Sequence, residues 1–205
     1  HVVFVEVVVG AFFQDEYRLR PNLTISAGVR YDWQNYLHDN NNIAPRVSFA
    51  YAPAKNRKTI LRGGAGFFYD RTGPGPVFDL ERYNGFRLRQ IVLTTPTYPA
   101  LFDAATLAAQ PISLTRLDPT IKMPYTAQFS MGVERQLYKG TTLSATYWAT
   151  RGVGLFRSRD INAPPPPNYQ ARLIPGIGVY RRIESSGHLQ NDALELSFRG
   201  QITRY

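Results

Sequence analysis

Along residues 23–36, LTISAGVRYDWQNY, the odd positions carry Leu23, Ile25, Ala27, Val29, Tyr31 and Trp33, and the even ones carry Thr24, Ser26, Gly28, Arg30, Asp32 and Gln34. Alternation with a period of two predicts a strand with one apolar and one polar face. At about 3.3 Å per residue it would reach roughly 45 Å, well beyond the usual strand of about 5 or 6 residues. The same design recurs. YTAQFSMGVERQL places Tyr125, Ala127, Phe129, Met131 and Val133 in one phase, TTLSATYWAT places Leu143, Ala145, Tyr147 and Ala149, and NDALELSFRGQI places Leu194, Leu196, Phe198 and Ile202 opposite Ala193, Glu195, Ser197, Arg199 and Gln201. RVSFAYA, TILRGGAGFFYD and GAFFQDEYRL bring the expected strands to seven.

The connections alternate in length. RPN, PAKNRK and YKG read as tight turns. Between them come LHDNNNIAP, a long stretch at about 71–123, and a Pro-rich stretch at about 157–189, each expected as a loop. Short turns at one end and long loops at the other are the signature of an outer-membrane β-barrel, so the predicted fold is all-β: an antiparallel up-and-down meander of long strands, part of a large transmembrane barrel. Aromatics agree with this. Tyr31, Trp33, Tyr36, Phe67, Phe68 and Tyr69 would approach the outer rim, and Tyr17, Tyr138 and Tyr205 the inner one, as two interfacial girdles.

Composition changes the picture little. The mean hydropathy of −0.29 is no argument against a membrane, because barrel strands carry apolar residues only at every second position. No apolar run approaches the roughly 18 residues of a membrane helix. The net charge of +9 is scattered from Arg18 to Arg204 and forms no nucleic-acid stripe. The absence of cysteine removes disulfides, thiolate metal sites and thiol nucleophiles. HVVFVEVVVG has no Met, basic n-region or cleavage site, so it is expected to be an internal stretch of something longer and not a signal peptide.

FFQDEYRLRPNLTISAGVRYDWQNY, NNIAPRVSFAYAP, LRGGAGFFYDR, PYTAQFSMGVERQL and RDINAP together resemble the barrel of TonB-dependent outer-membrane receptors, in particular the Oar-like branch common in acidobacteria. The resemblance implies a barrel of about 22 strands around a plug domain, importing a ligand with energy from the TonB complex. It therefore implies that residues 1–205 are one partial barrel domain in the bacterial outer membrane, that plug and TonB box lie outside this chain, and that the partners are outer-membrane lipid and lipopolysaccharide, the plug, the TonB complex and an imported ligand. The opening HVVFVEV departs from the family pattern.

Catalytic chemistry has no foothold. His1, His38 and His188 lack companions at metal-ligand spacing, and RGGAGFFYDRTGPGP lacks the Lys-Ser/Thr ending of a phosphate loop. No enzyme activity, cofactor or metal is expected. Asp39 with Asn40, Asn41 and Asn42 reads as a polar turn before it reads as a calcium loop. NLT at Asn22 falls in a tight turn, and NAPPPPN would stiffen an outer loop. In the long loop, Arg82, Tyr83, Arg87 and Arg89 mix cations with an aromatic and are the candidate ligand-binding residues, suited to an anionic or sugar-like ligand. Arg30, Asp32, Arg62 and Glu134 are the candidate lumen-facing or plug-contacting residues. Two other readings fit the pattern: a structural or adhesive barrel without import, and a soluble β-sandwich binding module.

Overall fold

Alternation becomes geometry in a single sheet. The computed structural model describes residues 3, 5–37, 39–71, 73–85, 91, 104–138, 140–167 and 169–200. Its strands are β1 (Val8–Arg20), β2 (Leu23–Gln34), β3 (Ile43–Tyr51), β4 (Thr59–Tyr69), β5 (Ile112–Leu117), β6 (Tyr125–Tyr138), β7 (Thr141–Asp160) and β8 (Ile177–Arg199), with two helices, α1 (Pro74–Arg82) and α2 (Ala104–Ala108), between β4 and β5. The order across the sheet is β1-β2-β3-β4-β6-β7-β8-β5. The seven long strands thus form the expected antiparallel meander. The tight turns gather at one end, where Asn22 Nδ2 donates to the Ala52 carbonyl (3.0 Å) and the Ala52 amide to that of Asn22 (2.8 Å), lacing two turns together.

Register lines the two phases up across every strand. Ile25, Phe49, Gly63, Met131, Tyr147 and Leu194 stand abreast on one face, and Leu23, Tyr51, Leu61, Val133, Ala145 and Leu196 stand abreast beside them. On the other face Ser26, Ser48, Gly64, Ser130 and Trp148 form a matching row. The apolar face is open: Phe13, Met131, Leu194 and Phe198 keep between 49% and 71% of their surface exposed. An apolar expanse of that size has to be covered by something other than water. Phe12 is an exception, standing on the polar face opposite Arg30. Among the described residues no second sheet packs on either face, which overturns the β-sandwich alternative.

The long-loop end departs from expectation. The stretch 157–189 is about half ladder, because β7 runs on to Asp160 and β8 starts at Ile177, leaving 161–176 as loop. The stretch 71–123 is not plain loop either: it holds both helices and β5, which pairs in parallel with β8 from Ile112↔Ile177 to Leu117↔Ile183. Here too sits a buried hydrophobic cluster, Leu37, Ile121, Met123 and Ile183, with Tyr69, Leu117 and Phe156 packed against it. Tyr125 meets Phe67 edge-on at 5.8 Å and Tyr69 at 5.4 Å, while Trp33 Nε1 and Tyr31 Oη donate to Asn40. Phe68, expected with this rim, turns instead to the polar face beneath the Arg46 guanidinium, 5.0 Å from its ring.

Candidate functional site

The polar face of the sheet holds the first set of candidates. Arg30 pairs with Asp32 at 2.8 Å two residues along β2, a same-face contact dictated by the strand period. Arg62 and Glu134 both line a groove of about 510 Å³ with Ser48, Ser144, Thr146 and Trp148. A neighbouring groove of about 370 Å³ is lined by Gln14, Arg46, Phe68, Gln128, Ser130 and Trp148. Gly66 keeps its floor open to Arg46, since a Cβ there would come within 2.9 Å of the Arg46 Cβ. The structure therefore brings Arg62 and Glu134 to one groove and leaves the Arg30–Asp32 pair further along the same face.

Further up, the faces exchange. Opposite Val153 stands His188, but Leu155 then meets Gly187 and Phe156 meets Ser185, so one extra residue enters β7 and then one enters β8. Gly154 makes the first irregularity at φ +69°, a conformation glycine adopts without steric penalty. The side chains record the switch. Leu155 reaches the space a Cβ on Gly152 would take, next to Leu189, on the polar face. Phe156 and Ile183 pack with Tyr69, which belongs to the apolar phase. Above the irregularity the polar-face side of the sheet thus carries Arg157 and Arg159 from β7, Arg182 and Glu184 from β8, and Arg116 from β5, in register with Arg182.

Arg157, Arg159 and Arg182 form a cluster about Glu184, while Arg116 Nη1 donates to the Thr115 carbonyl at 3.2 Å. The Glu184 carboxylate accepts from Arg157 Nη2 (3.1 Å), Arg159 Nη2 (3.1 Å), Arg182 Nη2 (3.3 Å) and Ser186 Oγ (2.8 Å). The Glu184 side chain is 10% exposed, whereas those of Arg157 and Arg159 are 54% and 50% exposed. The Ser186 hydroxyl and the nearby guanidiniums hold the Glu184 carboxyl below the usual glutamate range in spite of its burial. Arg182 also lies 3.4 Å from Asp118, whose carboxyl is lowered chiefly by hydrogen bonds from Thr120. At the end of β7, burial would raise Asp160, but hydrogen bonds from Arg172, Tyr180 and Asn162 outweigh it and leave it lowered.

Arg82 and Tyr83 lie close by. The Tyr83 carbonyl accepts from the Thr115 amide at 2.9 Å, which straps the end of α1 to β5, and Gly85 abuts Leu114. The Arg82 guanidinium stands 5.9 Å from the Phe78 ring. Arg87 and Arg89 lie outside the described residues. Reading from sequence missed Arg116, Arg157, Arg159 and Arg182. The signal is there in RSRD and YRRIE, where arginines and a glutamate recur at every second position, inside a stretch whose prolines read as loop.

Other singled-out residues have structural partners. The Asp39 carboxylate accepts the Met123 amide at 2.9 Å, and Asn42 Nδ2 donates to the carbonyls of Asp32 and Asp39, so the polar turn is a strut between two loops. His188 lines a pocket of about 330 Å³ with Asp39, Tyr69 and Lys122, while His1 and His38 lie outside the described residues. Among the described residues no cluster of three or more His, Cys, Asp or Glu could hold a metal ion.

Comparison with known proteins follows the geometry. A family model for an outer membrane beta barrel domain matches residues 36–204. The outer membrane transporter YddB from Escherichia coli shares the fold with a TM-score of 0.66 at 18% identity, over 94% of this chain and 21% of its own length. The ferric enterobactin receptor PfeA from Pseudomonas aeruginosa does so with a TM-score of 0.63 at 15% identity, over 93% of this chain and 24% of its own. The siderophore receptor PirA from Pseudomonas aeruginosa gives 0.58 at 10% identity, over 93% and 30%. The chain thus spans less than a third of each of these structures, and at such identities the likeness establishes the fold. These are receptors and transporters, not enzymes. No protein of curated function matches by sequence.

Proposed function

This chain belongs to the outer-membrane β-barrel domain family, and on that footing we propose that it is a stretch of wall from a TonB-dependent transporter that takes up a solute across the bacterial outer membrane. The observation that carries the reading is the seven-strand wall itself, apolar on one face and polar on the other, with tight turns gathered at one end and elaborated loops at the other. In this reading the apolar face meets lipid and lipopolysaccharide, the tight turns lie in the periplasm and the long-loop end is the outer mouth. Arg30, Asp32, Arg62 and Glu134 then line the lumen, where a plug domain would rest against them. Along β7 from Thr141 to Arg157 the strand climbs about 40 Å at roughly 3.3 Å per residue and a tilt near 40°, beyond an apolar band about 25 Å tall. The arginine cluster, with Arg82 and Tyr83 beside it, accordingly stands above the membrane on the lumen side, where an incoming solute passes.

The deciding experiment is capture of the whole barrel protein, folded in detergent, by the periplasmic domain of TonB. Retention is expected. A folded barrel that TonB ignores would instead be a structural or adhesive surface protein.

A further inference from the structure

We propose that Arg116, Arg159 and Arg182, with Arg157 beneath them, form a subsite for an extended polyanion bearing several phosphate or carboxylate groups. The inference rests on the reading of the long-loop end as the outer mouth. Arg159 is the register partner of Arg182 on β8, and Arg182 is that of Arg116 on β5. Three arginines therefore stand abreast on adjacent strands, their backbone positions spanning about 10 Å at the usual strand spacing of about 4.8 Å, with Arg116 Nη1 resting on the Thr115 carbonyl at 3.2 Å. Like charges directly opposite one another destabilise a sheet. Among the described residues two carboxylates, Glu184 and Asp118, pair with Arg157, Arg159 and Arg182. Glu184 already accepts four hydrogen bonds, about the full capacity of a carboxylate, and can neutralise no more.

What remains is donor capacity. Each guanidinium offers five N–H groups in a planar fork. Arg157 and Arg159 spend one Nη2 contact each on Glu184 and keep half or more of their side-chain surface open. Glu184 thus acts as a pin, fixing three flexible side chains in one place before any ligand arrives and lowering the entropy lost on binding. A fork of this kind recognises phosphate and carboxylate oxygens bidentately. A neutral sugar would leave the row of like charges uncompensated, and a compact monovalent anion could reach only two of its members. An anion with charged groups repeated along about 10 Å matches the whole row and turns a destabilising arrangement into an attractive one.

The test uses the whole barrel protein folded in detergent at low ionic strength, titrated calorimetrically with tripolyphosphate and separately with tricarballylate. At least one probe should bind, and the tighter of the two identifies the class of oxyanion. The double variant R159Q/R182Q should bind it at least about tenfold more weakly, whereas R57Q, in a tight turn at the other end, should match the native protein. Heat-shifted gel mobility reports whether each barrel has folded, and R116Q replaces the double variant if that one fails to fold. Failure of both probes on the native protein, or native-like binding by a folded variant, overturns the proposal. A Ser158→Cys variant separates the two readings, because a membrane-impermeant maleimide should label it on intact cells. Without labelling the outer-mouth reading falls. Labelling without probe binding removes the subsite alone.

Discussion

Val29 and Ser26 are three residues apart on β2 and stand on opposite faces, Val29 beside Phe13 and Pro45, Ser26 beside Glu16 and Ser48. A charge should therefore be penalised very differently at the two. Arginine on a lipid-facing position near the bilayer midplane costs roughly 2–4 kcal/mol, and far less in a wet lumen. Val29→Arg should accordingly lower the folding free energy of the whole barrel in lipid vesicles by that amount, with Ser26→Arg close to native; equal losses would mean that the faces have been exchanged. Glu184 makes a second prediction at this scale. Its carboxyl is lowered in the folded state, so the order it imposes is present at and above the ordinary glutamate range and is lost as the pH falls through the folded value. Hydrogen exchange of the amides of 177–184 should stay slow through the ordinary glutamate range and accelerate only below it. In Glu184→Gln those amides should exchange fast at neutral pH as well, while those of 194–198 keep their protection.

At the scale of elements, the irregularity at Gly154 decides which way the outer parts of β7 and β8 present their side chains. A branched residue at φ +69° is strained by about 1–2 kcal/mol, whereas asparagine tolerates that region. Gly154→Val should destabilise the barrel by about that much in denaturant titrations, with Gly154→Asn intermediate. Relief of the strain by a return to plain alternation would turn Arg157 and Arg159 to the other face, so Gly154→Val should also weaken polyanion binding. β5 is the other device of this scale. Its Thr115 amide is the hydrogen bond that fastens the end of α1. Thr115→Pro removes that donor, and limited proteolysis within 71–111 should speed up without loss of heat-shifted mobility. Faster cleavage accompanied by loss of that mobility would show β5 to be part of the barrel ladder and not an addition to it.

For the whole molecule the controlling facts are two open edges and one open face. β1 pairs only with β2, β8 below Ile183 pairs only with β7, and the apolar face has no protein cover among the described residues. An open sheet of this kind associates in water. The isolated chain should sediment as aggregates without detergent, and a compact, cooperatively unfolding monomer would contradict the assignment to a membrane wall. Sidedness belongs to the same scale. An epitope placed near Thr95–Thr97, outside the described residues, should be reached by antibody on intact cells, and one in the turn around Lys55–Lys58 should not.

How much of this was legible in the residues follows from the range of the forces involved. The seven strands, their tight turns and the two faces were written in the alternation itself, because side-chain direction in a strand reverses at every residue and lipid and water sort the two sets. The placement of Arg30, Asp32, Arg62 and Glu134 on one face followed from the same rule. Alternation is silent about partners at a distance. That Ile112–Leu117 would leave its loop and pair in parallel with β8, that β7 and β8 would extend to either side of the Pro-rich loop, and that an inserted residue at Gly154 would exchange the faces are matters of register between segments apart in the chain. Those long-range pairings are what gather Arg157, Arg159 and Arg182 about Glu184 and set Arg116 in register beside Arg182, four arginines that lie in two loops when counted along the sequence. Local physics settled the wall, and only the tertiary structure could settle the long-loop end, because a strand's own pattern holds its period but not the point at which another strand resets it.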